Sequence, residues 1–156
     1  MRACIVSALI LLCCLPARSQ TVPDGWKVIQ DAKAACQIAV PPEWVPLGEN
    51  NGTAMLHDST TAIAVVTSQP GQEFKPLSAM TVKAMGIPKE KLFENSATRI
   101  FFQSRTSRNP DEANSFNSSV PAKGGMCSCH VSVLPSVPED VAKKIVLSLS
   151  PVQDKT

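Results

Sequence analysis

The chain lacks an excess of charge of either sign. Its 156 residues carry 15 Lys and Arg against 13 Asp and Glu. Two of the basic residues, Arg2 and Arg18, lie in an N-terminal segment expected to be removed, which leaves 13 against 13. Such a neutral chain has neither the basic footprint of a nucleic-acid binder nor a polybasic membrane surface. Catalytic signatures are also missing: there is no Gly-x-Ser-x-Gly elbow, no Gly-rich phosphate loop and no His-Glu-x-x-His. Repeats, linkers and low-complexity segments are absent too, which points to one domain. Tyrosine does not occur and aromatic residues make up 4%, so Trp26 and Trp44 are expected to be large pieces of a core rather than a ligand platform. With 18% charged residues and a mean hydropathy of +0.03, the chain is too apolar for disorder and too mixed for a multispan membrane protein.

What is present begins with an export signal. Met1-Arg2 is a short positive start, and the apolar run from Ala3 to Leu15 is broken by Pro16. Ala17-Arg18-Ser19 places small residues at the two positions a signal peptidase reads, and cleavage before Gln20 leaves 137 of the 156 residues. A run of about 13 falls short of the roughly 20 apolar residues a membrane span needs, so no transmembrane segment is expected in the mature chain. The expected organisation is a signal peptide over 1–19 and one globular domain over 20–156, secreted or periplasmic. The alternative is a lipoprotein anchored through Cys14, although Cys13 before it is not the small residue that lipoprotein cleavage prefers.

Export changes the meaning of the cysteines. Cys4, Cys13 and Cys14 leave with the signal, and the mature chain keeps Cys36, Cys127 and Cys129. An oxidising compartment favours a disulfide, and three cysteines leave one thiol over. Met126 to Leu134 is rich in small and β-branched residues and reads as a strand. On a strand, Cys127 and Cys129 face one side and His130 the other. Neighbours two apart cannot be joined without bending the strand, since their Cα atoms stand about 6.6 Å apart. The bridge therefore runs from Cys36 to Cys127 or Cys129, with Cys127 preferred, and it closes a loop worth about 4 kcal/mol in the chain-entropy model. The rival reading is a metal centre in which Cys36, Cys127 and Cys129 present thiolates to zinc or copper with His57 or His130 as a fourth ligand. A single Cys-x-Cys is a weak metal signature, and the preferred expectation is no cofactor and no metal.

Alternation and turn signals predict strands over Gly25–Gln30, Ala35–Val40, Thr98–Ser104 and Ser115–Val120, with Thr53–His57 and Thr61–Thr67 forming a hairpin about Asp58-Ser59-Thr60. Leu77, Met80, Ala84 and Met85 recur at helical spacing between Pro76 and Gly86, and Pro88–Phe93 adds a short helical turn. Ser136-Val137-Pro138-Glu139 reads as a capping box for a last helix whose apolar face is Val141, Ala142, Ile145, Val146 and Leu149. Phe101-Phe102 puts one ring on each face of a sheet, so one is expected in the core and the other under a helix if both faces are covered, whereas a bare Phe on an open face suggests a partner site. The fold class is α+β, an antiparallel sheet with helices packed on it.

The strand and proline-tryptophan segment Gln37-Ile38-Ala39-Val40-Pro41-Pro42-Glu43-Trp44 and the closing Lys144-Ile145-Val146-Leu147-Ser148-Leu149 resemble signatures of the PsbP-like α/β/α sandwich family. That fold is shared with Mog-type Ran-binding proteins and with exported bacterial proteins of unknown role. The resemblance covers Trp26 to Ser150 and implies a binding or accessory module without a built-in active site, its partner a protein or an envelope component. It carries over no site residues, and the cysteines depart from it.

The residue types of catalysis occur only as sequence neighbours. His57-Asp58-Ser59 is expected to be a polar turn, since a triad is assembled from separated elements. Cys129 and His130 diverge on a strand, so the base does not reach the thiol. Glu139-Asp140 suit a helix start. The chain is therefore expected not to be an enzyme. Lys89, Lys91, Arg99, Arg105 and Arg108 are expected to be solvated. Asn51-Gly52-Thr53 and Asn117-Ser118-Ser119 match the glycosylation acceptor.

Overall fold

A computed structural model describes residues 22–47, 53–55, 61–105 and 112–153. Strands β1 (Lys27–Gln30) and β2 (Cys36–Val40) pair antiparallel around a turn at Asp31, and β10 (Ser150–Pro151) joins the other edge of β2. The larger sheet has seven strands in the order β3-β4-β5-β9-β8-β7-β6. These are β3 (Val45–Pro46), β4 (Thr53–Met55), β5 (Ala62–Pro70), β6 (Leu92–Asn95), β7 (Ile100–Arg105), β8 (Asn114–Ala122) and β9 (Gly125–Val133), and every pairing is antiparallel.

The period-two pattern of the large sheet decides its two faces. Ala62, Ala64 and Val66 of β5, Cys127, Cys129, Val131 and Val133 of β9, and Phe116 and Val120 of β8 point to one side and are buried. Helix α2 (Glu139–Leu147) covers this inner face with Ala142, Ile145 and Val146. The small sheet covers the rest with Ile29, Ile38 and Val40, and Trp44 closes the layer at 1% exposure. The apolar face read for α2 is thus the one that docks. Its start differs from the expected capping box: Pro138 is the N-cap without a side-chain hydrogen bond, and Ser136 is exposed. Glu139 turns instead to Lys143, one turn on, at 3.1 Å.

The outer face is covered only in part. Ile87, Ile100 and Phe102 form a second apolar cluster beneath Phe74, Leu77 and Val82, so the two rings of Phe101 and Phe102 do serve opposite faces. Here the expected helix shrinks to α1 (Ala79–Ala84), six residues with none buried. Met80, expected on its apolar face, is 81% exposed. So short a helix buries little, and the segment is held by its ends. Ser78 caps α1 by accepting from Thr81 N at 3.1 Å. Asn95 grips the Leu77 backbone from both sides, at 2.7 and 2.9 Å. The helical turn expected over Pro88–Phe93 is a single 3-10 turn, Lys89–Lys91, after which Leu92 and Phe93 enter β6. Among the described residues the architecture is therefore mostly β: antiparallel sheets, one docked helix and one short one. No helix among the described residues is long and apolar enough to cross a membrane.

Candidate functional site

Cys36 and Cys127 form a disulfide that ties β2 to β9 across a sequence separation of 91 residues. Two of the three sulfurs are thereby consumed, which overturns the thiolate set of Cys36, Cys127 and Cys129 proposed for zinc or copper. No cluster of three or more His, Cys, Asp or Glu suited to a metal occurs among the described residues. Among the described residues Cys129 is the thiol left over, and it is buried. Burial pushes its pKa well above the ordinary thiol range, although the charge of Arg99 works in the other direction. It is therefore protonated at neutral pH and a poor nucleophile.

Cys14, Ser19, Gln20, Asn51, His57, Asp58, Ser59 and Arg108 lie outside the described residues. Glu139 and Asp140 form ion pairs with Lys143 and Lys144 on α2. Arg105 pairs with Glu112 at 2.8 Å. Arg99 is not the solvated cation expected of it: its guanidinium donates to Ser118 Oγ at 2.8 Å, Val146 O at 3.3 Å and Leu149 O at 3.2 Å. Asn117, read as a glycosylation acceptor, stands within β8 with its amide engaged by Ser104 and His130.

The face opposite the core carries the candidate site. Register places its residues in cross-strand rows: Val65, His130, Asn117 and Phe102 in one, and Thr67, Ser128, Ser119 and Ile100 in the next. Each row runs from a residue of β5, through two polar residues on β9 and β8, to an apolar residue on β7. Between this floor and the 72–85 segment lies a groove of about 390 Å³, within the usual size range of small-molecule sites. Val65, Leu77, Met85, Ile100, Phe102 and Met126 supply its apolar lining.

The polar floor is internally ordered. Ser119 and Ser128 share a hydrogen bond at 3.1 Å, and Gln69 Nε2 donates to Ser128 Oγ at 3.2 Å. His130 Nδ1 meets Asn117 Oδ1 at 2.9 Å, and His130 Nε2 meets Ser132 Oγ at 2.9 Å. Burial lowers the pKa of His130 from its ordinary 6.5, so the ring is neutral at pH 7. Glu73 and Lys75 at the rim neutralise one another at 2.7 Å. The groove thus presents hydroxyls, amides and apolar side chains without an unbalanced charge.

Strand alternation puts His130 on the face away from the thiols, where it is. The company His130 keeps is not legible in the sequence, because Asn117 arrives from another strand. The His-x-Ser spacing was the available signal, since residues two apart share a face.

No protein-family model matches the sequence, and no curated protein matches it. Among solved structures, a protein from Bacteroides thetaiotaomicron is similar in fold, with a TM-score of 0.53 at 12% identity. The match covers 85% of this chain, which spans 50% of that protein's length. At this identity the likeness is one of fold.

Proposed function

We propose that the protein is an exported binding module whose ligand lies in the groove on the outer face of the large sheet. The observation that carries this reading is the floor itself: a pre-ordered polar stripe between apolar margins, under a segment that leaves the face only half covered. A site of this kind suits an uncharged ligand with hydrogen-bonding groups on one side and an apolar body on the other. Export is supported by the leader-like segment before Gln20 and by the Cys36–Cys127 disulfide, which belongs to an oxidising compartment. Affiliation with the PsbP-like family accompanies this reading, on the strength of the Pro41–Trp44 segment and the closing helix.

The test is a titration of uncharged amphipathic probes, N-acyl amino-acid amides and short alkyl glycosides, against the methionine methyl signals in NMR. Met85 and Met126 line the groove, whereas Met80 on α1 stands outside it as a reference. Saturable shifts at Met85 and Met126, abolished by Ser119→Trp, support the reading. Shifts that do not saturate, or that are as large at Met80, overturn it.

A further inference from the structure

Where the groove floor meets the next row, Ser132 and Ser115, the outer face holds an arrangement that goes beyond binding. Ser132 and His130 stand two apart on β9, and Asn117 stands opposite His130 on β8. Asn117 Nδ2 donates to Ser104 Oγ at 2.7 Å, which turns Asn117 Oδ1 toward His130 Nδ1. Nδ1 then carries the ring proton, leaving Nε2 bare and 2.9 Å from Ser132 Oγ. Ser115 Oγ, directly across the strand pair, lies 2.9 Å from Ser132 Oγ. A hydroxyl, a base in reach of it and a third group that sets the base's tautomer are the three roles of a nucleophilic triad. Here they are assembled from two neighbouring strands.

We propose that Ser132 is a nucleophile for activated acyl donors, with His130 as its general base and Asn117 as the positioning residue. Ser132 Oγ bonds to the acyl carbon of an activated ester while its proton passes to His130 Nε2. His130 hands that proton to the departing aryl oxide. Water, its proton taken by His130, then cleaves the acyl–Oγ bond, releasing a carboxylic acid and restoring Ser132.

Two features confine this chemistry to activated donors. Asn117 orients the imidazole without supplying the negative charge that an aspartate gives to an imidazolium. Ser132 and Ser115 lie on interior strands whose backbone N–H groups are committed to the sheet, so the Ser115 hydroxyl is the nearest donor to a developing oxyanion. Catalysis at Cys129 fails because adjacent strand residues diverge. The same rule brings His130 and Ser132 together.

The experiment is labelling of the full chain with a fluorophosphonate, in which Oγ displaces fluoride from phosphorus, read by intact mass and peptide mapping. The expected result is one adduct on Ser132, absent in Ser132→Ala and slowed about a hundredfold or more in His130→Gln. Asn117→Leu loses labelling and Asn117→Asp retains it, a rescue that a merely structural role does not predict. Thermal melts of each variant establish that the fold is intact. No adduct under conditions that label a known serine hydrolase overturns the proposal. So does an adduct that maps to another residue, or one that persists in Ser132→Ala.

Discussion

Asp31 shows how one residue can join two sheets. It is 4% exposed, and its carboxylate accepts from Ala35 N at 2.8 Å, Cys36 N at 3.0 Å and Ser68 N at 3.1 Å. The first two bonds shape the turn between β1 and β2, and the third reaches β5 of the large sheet. Burial raises the pKa of this carboxyl, but the hydrogen bonds from Ser68, Cys36 and Ala35 outweigh it and hold the group below its ordinary 3.8. A depressed carboxylate stabilises the fold above its unfolded value, and that contribution is lost as the pH falls through the folded one. Stability measured by urea unfolding is therefore expected to decline as the pH drops below 3.8. Asp31→Ala is expected to cost about 2–4 kcal/mol at pH 7, since it strands buried N–H groups, and to flatten that acid dependence. The sequence shows an Asp after a strand, a turn signal and no more. That its partners include Ser68 follows only from the folding of one sheet onto the other.

At the scale of elements, α2 is the part most legible in the residues. Its apolar positions recur with helical spacing, and the face they form is the one that is buried. Its C-terminal end is not fully legible, because one group that binds there comes from elsewhere. Beyond the local cap of Ser148, the Val146 and Leu149 carbonyls at its C-terminal end receive Arg99 from beside β7, and Ser148 Oγ ties that end to β2 by accepting from Ala39 N at 2.7 Å. A cation at that end also faces the negative pole of the helix. Arg99→Ala is expected to destabilise the protein by about 1.5–3 kcal/mol, read as a lower urea midpoint with an unchanged slope. Arg99→Lys should recover only part of this, because an ammonium does not have the planar fork that reaches Ser118, Val146 and Leu149 together. The helix α1 is the opposite case. Its spacing is helical, but it is too short and too exposed for that spacing to choose a face, so Leu77 and Val82 are inward while Met80 is outward.

At the scale of the molecule, the disulfide clamps the small sheet to the middle of the large one. With Cys36 and Cys127 separated by 91 residues, the chain-entropy model assigns the bond about 4–5 kcal/mol. Reduction, or the Cys36→Ala/Cys127→Ala pair, is expected to lower stability by that order in chemical unfolding. Intact mass of the native oxidised protein should be two hydrogens light. On a chain beginning at Gln20, iodoacetamide should add nothing before unfolding and one group after it, because Cys129 is buried and protonated. Alkylation of the native protein would show that Cys129 is accessible.

What the residues determine by themselves is local. Period-two runs make the strands, and Cys127 and Cys129 share a face with His130 opposite, because alternation is a property of any extended backbone. The spacing of Val141, Ile145 and Leu149 likewise makes an amphipathic helix wherever it docks. What only the tertiary structure decides is partnership across distance: Asp31 with Ser68, Arg99 with the end of α2, Asn117 beside His130, and Ser115 facing Ser132. These pairs depend on strand order and register, which are set by how the inner face packs as a whole. The outer rows that form the groove take their register from that packing.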